Sequence, residues 1–392
     1  MSLQQISRNA DLKQLRDDGY EVAIKSGHLV LYNVPYVNAR KEVKRGTLIS
    51  VLEVNGDDTI PPRDHKVFFT GEHPCDKDGN KLRHIEHTSN RQHLGEGLVA
   101  DHSFSSKPKE GYRDYHHKMT TYADMISRHA RAIDPEATAQ TYVVAESDDS
   151  ESVFNYSDSA STRAGIAAIT NKLALKKVGI IGLGGSGAYV LDLIAKTPIQ
   201  EIHLFDGDDF LQHNAFRTPG APTLDQIRER YKKVDYLAAQ YAPMRKNIIS
   251  HPFYIDEGNI DLLDGMNFVF VCIDSGEAKK PIVEKLEADG VPFVDVGMGI
   301  EIVDDKLLGI IRVTASTPEK RDHFRNHVGF VDGDKGDAYS KNIQIADLNA
   351  LNATLAVIKW KKIFGFYADF DNEHSSNYTI DGNIITNTDK MS

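Results

Sequence analysis

The chain has 392 residues, which is long for one hydrophobic core, and two domains are the natural expectation. Its composition, 40% hydrophobic and 26% charged, is that of a soluble globular protein. A net charge of −11 argues against nucleic acid as the main partner, because phosphate backbones are held by clustered Lys and Arg. No run of about 18 apolar residues predicts a membrane span, and the start "MSLQQISRNADLKQL" lacks a signal-peptide core. Two cysteines, Cys75 and Cys272, are too few for a disulfide framework or a four-cysteine zinc site. Together these features point to a cytoplasmic protein with neither membrane nor nucleic acid as partner.

Taken in chain order, "ADLKQLRDDGY" has helical spacing, and "HLVLYNVPYVN" and "GTLISVLEV" read as strands. From 61 to 118 the chain is polar and rich in His, Gly and Pro, with few clear periods. "YHHKMTTYADMISRHARAI" reads as a helix. The spacing predicts an α+β domain over 1–145 and an acidic, serine-rich linker over 146–161, with the main domain at 162–392.

The main domain alternates strand and helix. "KVGIIGL" is a buried strand, "GAYVLDLIAKTPI" a helix and "EIHLFDGDD" a second strand. A helix around "LDQIRERYKKVDYLAAQYA" follows, then strands "FYIDE" and "FVFVCID", a helix at "KKPIVEKLEADG" and strand "PFVDVG". This βαβ rhythm predicts an α/β fold: a doubly wound, Rossmann-like parallel sheet. Alternation in "IEIVDDKLLGIIRVTAS" and the hairpin-like "SNYTIDGNIIT" adds an antiparallel C-terminal extension. Between them a helix at 341–364 carries Ile345, Leu348, Leu351, Leu355 and Ile358 on one expected face.

The chemistry concentrates in "GLGGSG". Gly182, Gly184 and Gly187 fit the dinucleotide fingerprint, with Gly185 beside them, and the following helix would offer free N–H groups to phosphate. The loop alone does not separate NAD from ATP, and Asp206 suits a ribose hydroxyl in either. The next residues, "DGDDFLQHNAFR", place Asp206, Asp208, Asn214 and Arg217 together, with Lys233 on the following helix. An arginine and a lysine beyond a phosphate loop suit a triphosphate.

This set resembles the ThiF/MoeB-type activating enzymes of ubiquitin-like proteins, over about residues 160–385. The resemblance implies that Asp206 binds ribose, that Asn214, Arg217 and Lys233 (or its neighbour Lys232) contact the triphosphate, and that Asp274, ending "FVFVCID", positions magnesium. It implies an arginine from before the first strand, for which Arg163 is the match, often lent across a homodimer. It implies the reaction too: ATP-dependent adenylation of the C-terminal glycine of a ubiquitin-like or sulfur-carrier-like protein, with release of pyrophosphate. An NAD-dependent oxidoreductase and an inactive nucleotide-binding module are the alternatives.

Many relatives pass the acyl group to a later cysteine. None follows Cys272, which is expected in the core, and the region "GMGIEIVDDK" has none. Cys75, near His73, His84 and His87, is therefore read three ways: a surface thiol, an acyl acceptor activated by histidine, or a zinc ligand. "HPCDKDG" resembles over a few residues the His-Pro-Asn segment of ubiquitin-conjugating enzymes, which makes a conjugating-enzyme-like N-terminal domain a further expectation.

Overall fold

A computed structural model describes residues 2–56, 58–95, 97–144, 152–330 and 343–390. It divides into two compact units, Met1–Ile166 and Ala167–Ser392. Of the stretch 146–161 expected as a linker, residues 146–151 lie outside the described residues. No described helix is long and apolar enough to cross a membrane.

The first unit opens with helices α1 (Ser2–Arg8) and α2 (Ala10–Asp17) and then runs through ten strands. These are β1 (Val22–Lys25), β2 (His28–Val37), β3 (Val43–Val51), β4 (Val54–Asn55), β5 (Asp58–Thr59), β6 (Lys66–Thr70), β7 (Glu86–Thr88), β8 (Gln92–Gly95), β9 (Leu98–Ala100) and β10 (His102–Ser105). Six of them form an antiparallel sheet in the order β1-β2-β3-β6-β10-β7. The amphipathic helix α3 (Tyr115–Arg131) packs Met119, Tyr122 and Ile126 into one core with Leu31, Leu48 and Phe69 of the sheet. Its N-cap is Asp114, whose carboxylate accepts from the His117 N–H. The short helix α4 (Ser159–Arg163) completes the unit. Strands β6 to β10 fall in the stretch without clear periods: each is at most five residues long, too short to show an alternation, though Val67, Phe69 and Phe104 are buried.

The second unit begins with α5 (Ala167–Thr170), followed by β11 (Lys177–Ile181), α6 (Gly185–Ile194) and β12 (Glu201–Phe205). Next come α7 (Leu224–Arg228), α8 (Lys233–Tyr241), β13 (Ile248–His251), β14 (Phe268–Val271) and α9 (Gly276–Ala288). The unit ends with β15 (Phe293–Val303), β16 (Lys306–Ser316), α10 (Phe324–His327), α11 (Ala346–Ile363), β17 (Ser375–Thr379) and β18 (Ile384–Thr388). One eight-stranded sheet holds them in the order β13-β12-β11-β14-β15-β16-β17-β18. The five strands from β13 to β15 are parallel and the rest antiparallel, so the α/β doubly wound sheet with an antiparallel extension expected from the sequence is the observed fold.

Both faces of the parallel strands are covered, which is why those strands read as unbroken apolar runs. Phe268 and Phe270 of β14 enter the core shared with α6, α8 and α11. Val269 and Val271, pointing the other way, join the core under α9 and α10. Trp360, the chain's single tryptophan, is fully buried with its ring centroid 6.1 Å from that of Phe270.

Three expectations are corrected. The third parallel strand is not "FYIDE" but Ile248–His251: Pro252 lacks an N–H and ends the ladder, and Tyr254 and Ile255 lie in the loop beyond. The long helix around 224–242 is two, α7 and α8, separated by a break with Arg230 at φ +51°. The buried residues of α11 are Leu348, Asn349, Asn352, Ala353, Ala356, Val357, Lys359 and Trp360, so of the expected stripe only Leu348 is buried. Asn349 is buried because α11 packs against the glycine-rich start of α6, where an added Cβ on Gly185 would meet the Asn349 side chain.

Phe270→Ala is expected to lower the stability of the second unit by about 3–5 kcal/mol. Equilibrium urea unfolding followed by Trp360 fluorescence measures it, since no other tryptophan contributes.

Candidate nucleotide and acyl site

The site forms where the sheet reverses its winding. The chain moves from β11 outward to β12 and β13, then returns past β11 to β14, so the ends of β11 and β14 lie side by side. Doubly wound sheets bind ligands at such a crevice. The glycine loop leaves β11 there, and Asp274 follows the end of β14.

The loop's glycines are required by contact, not only by pattern. Gly182 has φ +89°, and a Cβ on it would meet the Cys272 carbonyl oxygen at 2.7 Å. A Cβ on Gly187 would fall 1.9 Å from the Gly182 carbonyl oxygen. A Cβ added to Gly184, at the N-cap of α6, would meet only the end of the Gln344 side chain, at 3.9 Å, so the space beside this residue is open. The N–H groups and positive end of α6 are thereby presented to whatever occupies the crevice.

Asp206 is buried at the end of β12 and ties this loop to the next. Its Oδ2 accepts from the Leu183 N–H at 2.7 Å and its Oδ1 from the Asp208 N–H at 2.9 Å. Lys233 is buried beside it, its Nζ 2.5 Å from Asp208 Oδ2 and 3.5 Å from Asp206 Oδ2. The break between α7 and α8 makes this possible: Asp209 and Lys232 form a β-bridge, and the Lys233 N–H donates to the Asp208 carbonyl at 3.0 Å. The same bridge turns Lys232 aside, onto Asp209 at 2.8 Å. Partial burial raises the pKa of the Asp208 carboxyl, but hydrogen bonds from Lys233 and from the Tyr254 hydroxyl outweigh it and leave it below the usual range. The hydrogen bond to Asp208 in turn pushes the Tyr254 hydroxyl up to about 12.

One cavity of about 1020 Å³ collects these groups. Gly182, Gly184, Gly185, Asp206, Asp208, Arg217, Lys233 and Asp274 all line it. Arg217 closes the 3-10 turn Gln212–Phe216, and its Nε is buried with no hydrogen-bond partner among the described residues. Asn214 does not line the cavity: its Oδ1 accepts from the Leu211 N–H at 2.8 Å, capping that turn, and its Nδ2 is buried and unpartnered. It holds the loop that carries Arg217. Arg163 belongs to the first unit, where its guanidinium lies 5.5 Å from the centre of the Tyr142 ring. Cys272 sits one residue past β14, not inside it, and lines the cavity as a half-buried thiol whose pKa burial raises strongly.

The structure corrects the acyl-acceptor reading of Cys75. The residue is fully buried, bridged in β fashion to Val37 and Lys81, with Sγ 3.3 Å from the His73 carbonyl. Burial raises the thiol's pKa, the opposite of what a thiolate nucleophile needs. Its isolation in an antiparallel pairing is a long-range fact that the local histidine-rich sequence does not reveal. The zinc reading finds no support either: among the described residues no three His, Cys, Asp or Glu side chains gather to hold a metal.

Sequence reasoning missed the far wall of the cavity. There Asp295 of β15 is fully buried, with Lys279 of α9 2.7 Å from its Oδ1 and Arg312 of β16 2.5 Å from its Oδ2. Gly297 lies directly across from Arg312 in the β15–β16 register, and a Cβ there would fall 2.8 Å from the guanidinium. The available signal was a lone Asp inside "PFVDVG": a carboxylate in a buried strand demands a cation.

Residues 156–301 match the ThiF family, and residues 10–159 match a domain of unknown function, DUF6791. No curated protein matches the chain. Among solved structures the chain is similar to PaaA, at 17% identity over 70% of this chain and 86% of that one, with a TM-score of 0.47. It is similar to Escherichia coli MccB with ATP at 18% identity, covering 57% of this chain and 66% of that one, TM-score 0.44. It is also similar to the microcin C7 biosynthetic enzyme MccB in complex with N-formylated MccA, at 17% identity over 59% and 70%, TM-score 0.45. The motif set and the family match coincide: the glycine loop, Asp206, Arg217, Lys233 and Asp274 all fall within the residues 156–301 that match the ThiF family.

Proposed function

We propose that the chain is an ATP-dependent adenylyltransferase that activates a carboxylate. The observation that carries the reading is convergence: the start of α6, Arg217, Lys233 and Asp274 come from four separate segments and line one cavity. In this reading a carboxylate oxygen attacks the α-phosphorus, a new acyl–O–P bond forms, and the bond from the α-phosphorus to the β-bridging oxygen breaks. Pyrophosphate carries away the electron pair. The N–H groups of the glycine loop hold the α-phosphate, while Arg217 and Lys233 hold the departing oxygens. Asp206 retains lone pairs for the ribose hydroxyls. Magnesium fits a single carboxylate because that ion is held by one or two carboxylates plus phosphate oxygens and water; Asp274 would hold it, and it would neutralise phosphate charge.

The proposed substrate end is the C-terminal glycine of a ubiquitin-like or sulfur-carrier-like small protein. Gly297 and Gly299 line the far side of the cavity, and Gly299 has open space where a side chain would be, which suits an extended, unbranched chain end. In the same reading residues 162–392 are the adenylation domain, 1–145 a separate domain joined to it by 146–161, and the protein a cytoplasmic homodimer in which Arg163 is lent to the partner's site. Transfer onward bypasses Cys75. A redox dinucleotide would use the glycine loop and Asp206 but would give Arg217, Lys233 and Asp274 no common task.

With ATP, magnesium and a small protein ending in Gly-Gly, labelled pyrophosphate is expected to exchange into ATP. Asp274→Asn and Lys233→Met should each lower that exchange by about 10²–10³-fold. Tight binding of NADH with no binding of ATP would sink the reading. The placement of Cys75 has its own check. In a Cys272→Ser protein, Cys75 should resist iodoacetamide under native conditions and react on unfolding in urea; prompt native labelling would restore it as an accessible thiol.

A further inference from the structure

The buried carboxylate of Asp295 has two cations where one suffices. Lys279 and Asp295 are both buried and 2.7 Å apart, a pair that neutralises itself. Arg312 is therefore a surplus positive charge, and it is the more exposed of the two cations, on the cavity wall. Among the described residues, Asp295 is the only carboxylate within ion-pair distance of it. A guanidinium has five N–H donors. One is directed to Asp295 and one to the His327 carbonyl, Nε is buried without a hydrogen-bond partner among the described residues, and the other two are on the terminal nitrogens. A plane of N–H groups fixed by two protein acceptors and still offering donors is a preorganised receptor for a second carboxylate.

Its place in the sheet separates it from the cations proposed to hold the departing phosphates. From β11 the sheet passes through β14 and β15 to β16. Three steps of about 4.8 Å place the strand of Arg312 roughly 14 Å from the strand that feeds the glycine loop. The phosphate cations Arg217 and Lys233 lie the other way, after β12. The missing side chain at Gly297 gives Arg312 its place, since a Cβ would displace the guanidinium.

Building on the adenylation reading, we infer that Arg312, oriented by Asp295 and seated over Gly297, binds the free carboxylate of the incoming acyl substrate and so selects an anionic chain end on the far wall of the cavity. Arg312 is thus a substrate-binding residue, and Asp295 and Gly297 position it.

The test is calorimetric titration of the protein, saturated with the non-hydrolysable ATP analogue AMPCPP, with a tetrapeptide ending in Gly-Gly. The peptide is used once with a free carboxylate and once as the C-terminal amide. The native protein should prefer the carboxylate by about tenfold or more, as expected for a charge-assisted bond. In Arg312→Gln the preference should fall below about twofold, and Arg312→Lys should restore part of it. Gly297→Ala, which keeps every charge, should also reduce it, so the test does not depend on one variant folding. AMPCPP affinity should stay within about twofold in all of these, as no phosphate contact is removed. A carboxylate preference that persists in Arg312→Gln, or is absent from the native protein, overturns the inference and leaves the adenylation reading standing. Failure of AMPCPP to bind the native protein overturns both.

Discussion

The second unit depends on one contact: helix α6 meets the end of β11 so closely that the Gly187 Cα lies against the Gly182 carbonyl, with 1.9 Å where a Cβ would go. Close approach fixes the direction of α6, and that direction aims its N-terminus along the crevice between β11 and β14. A residue with any side chain at 187 would lift the helix and swing its free N–H groups off line. The loop also leans on the neighbouring strand, for Gly182 sits against the Cys272 carbonyl just past β14. Three backbone segments thus define one another, and the electrostatics follow from where they leave the N–H groups.

Around that frame the protein arranges charge so that none is stranded without a ligand. Lys233 is too buried to be solvated and is held by Asp208 and Asp206. Asp208 is in turn bonded by Tyr254, a residue from the loop beyond β13. In the proposed reading a phosphate entering the crevice would compete with Asp208 for the ammonium, so binding would exchange one anion for another and leave no buried lysine unpaired. Tyr254 packs over Gly207, where a Cβ would meet its ring at 2.9 Å, so the same glycine that turns the loop also seats the ring. Arg217 is poised differently: its Nε lacks a partner among the described residues, a cost that a bound anion would relieve.

The parts of the fold legible in the sequence are those whose cause is local or two-faced burial. Strands β11 and β14 declare themselves because both faces need apolar residues, and the glycine loop because backbone sterics leave no alternative. Other elements depend on partners distant in sequence. Strand β13 consists of ordinary residues, and only its pairing with β12 distinguishes Ile248–His251 from the more strand-like "FYIDE". The face of α11 is set by the glycines of α6, so Asn349 is buried while Leu351 is only partly so. Arg312 is the extreme case: its role depends on a register that brings Gly297 opposite and on Lys279, 33 positions earlier, already satisfying Asp295. Local sequence holds no trace of that surplus.

The antiparallel extension gives the sheet a second wall, which the proposed reaction of two substrates would need. A parallel sheet ending at β15 would offer a crevice with phosphate donors on one side and solvent on the other. Here β15 and β16 run on as a long ribbon of eleven residues each, and residues from both form a second wall facing the loop. The cavity this encloses, about 1020 Å³, is at the upper end of the roughly 300–1,000 Å³ that one small ligand occupies. Charge divides accordingly, with Arg217 and Lys233 on the side of β12 and Arg312 on that of β16, and Asp274 after β14 between them. A nucleotide drawn to the first pair and an anionic chain end drawn to the second would meet above β14, where proximity alone removes much of the entropic barrier to joining them.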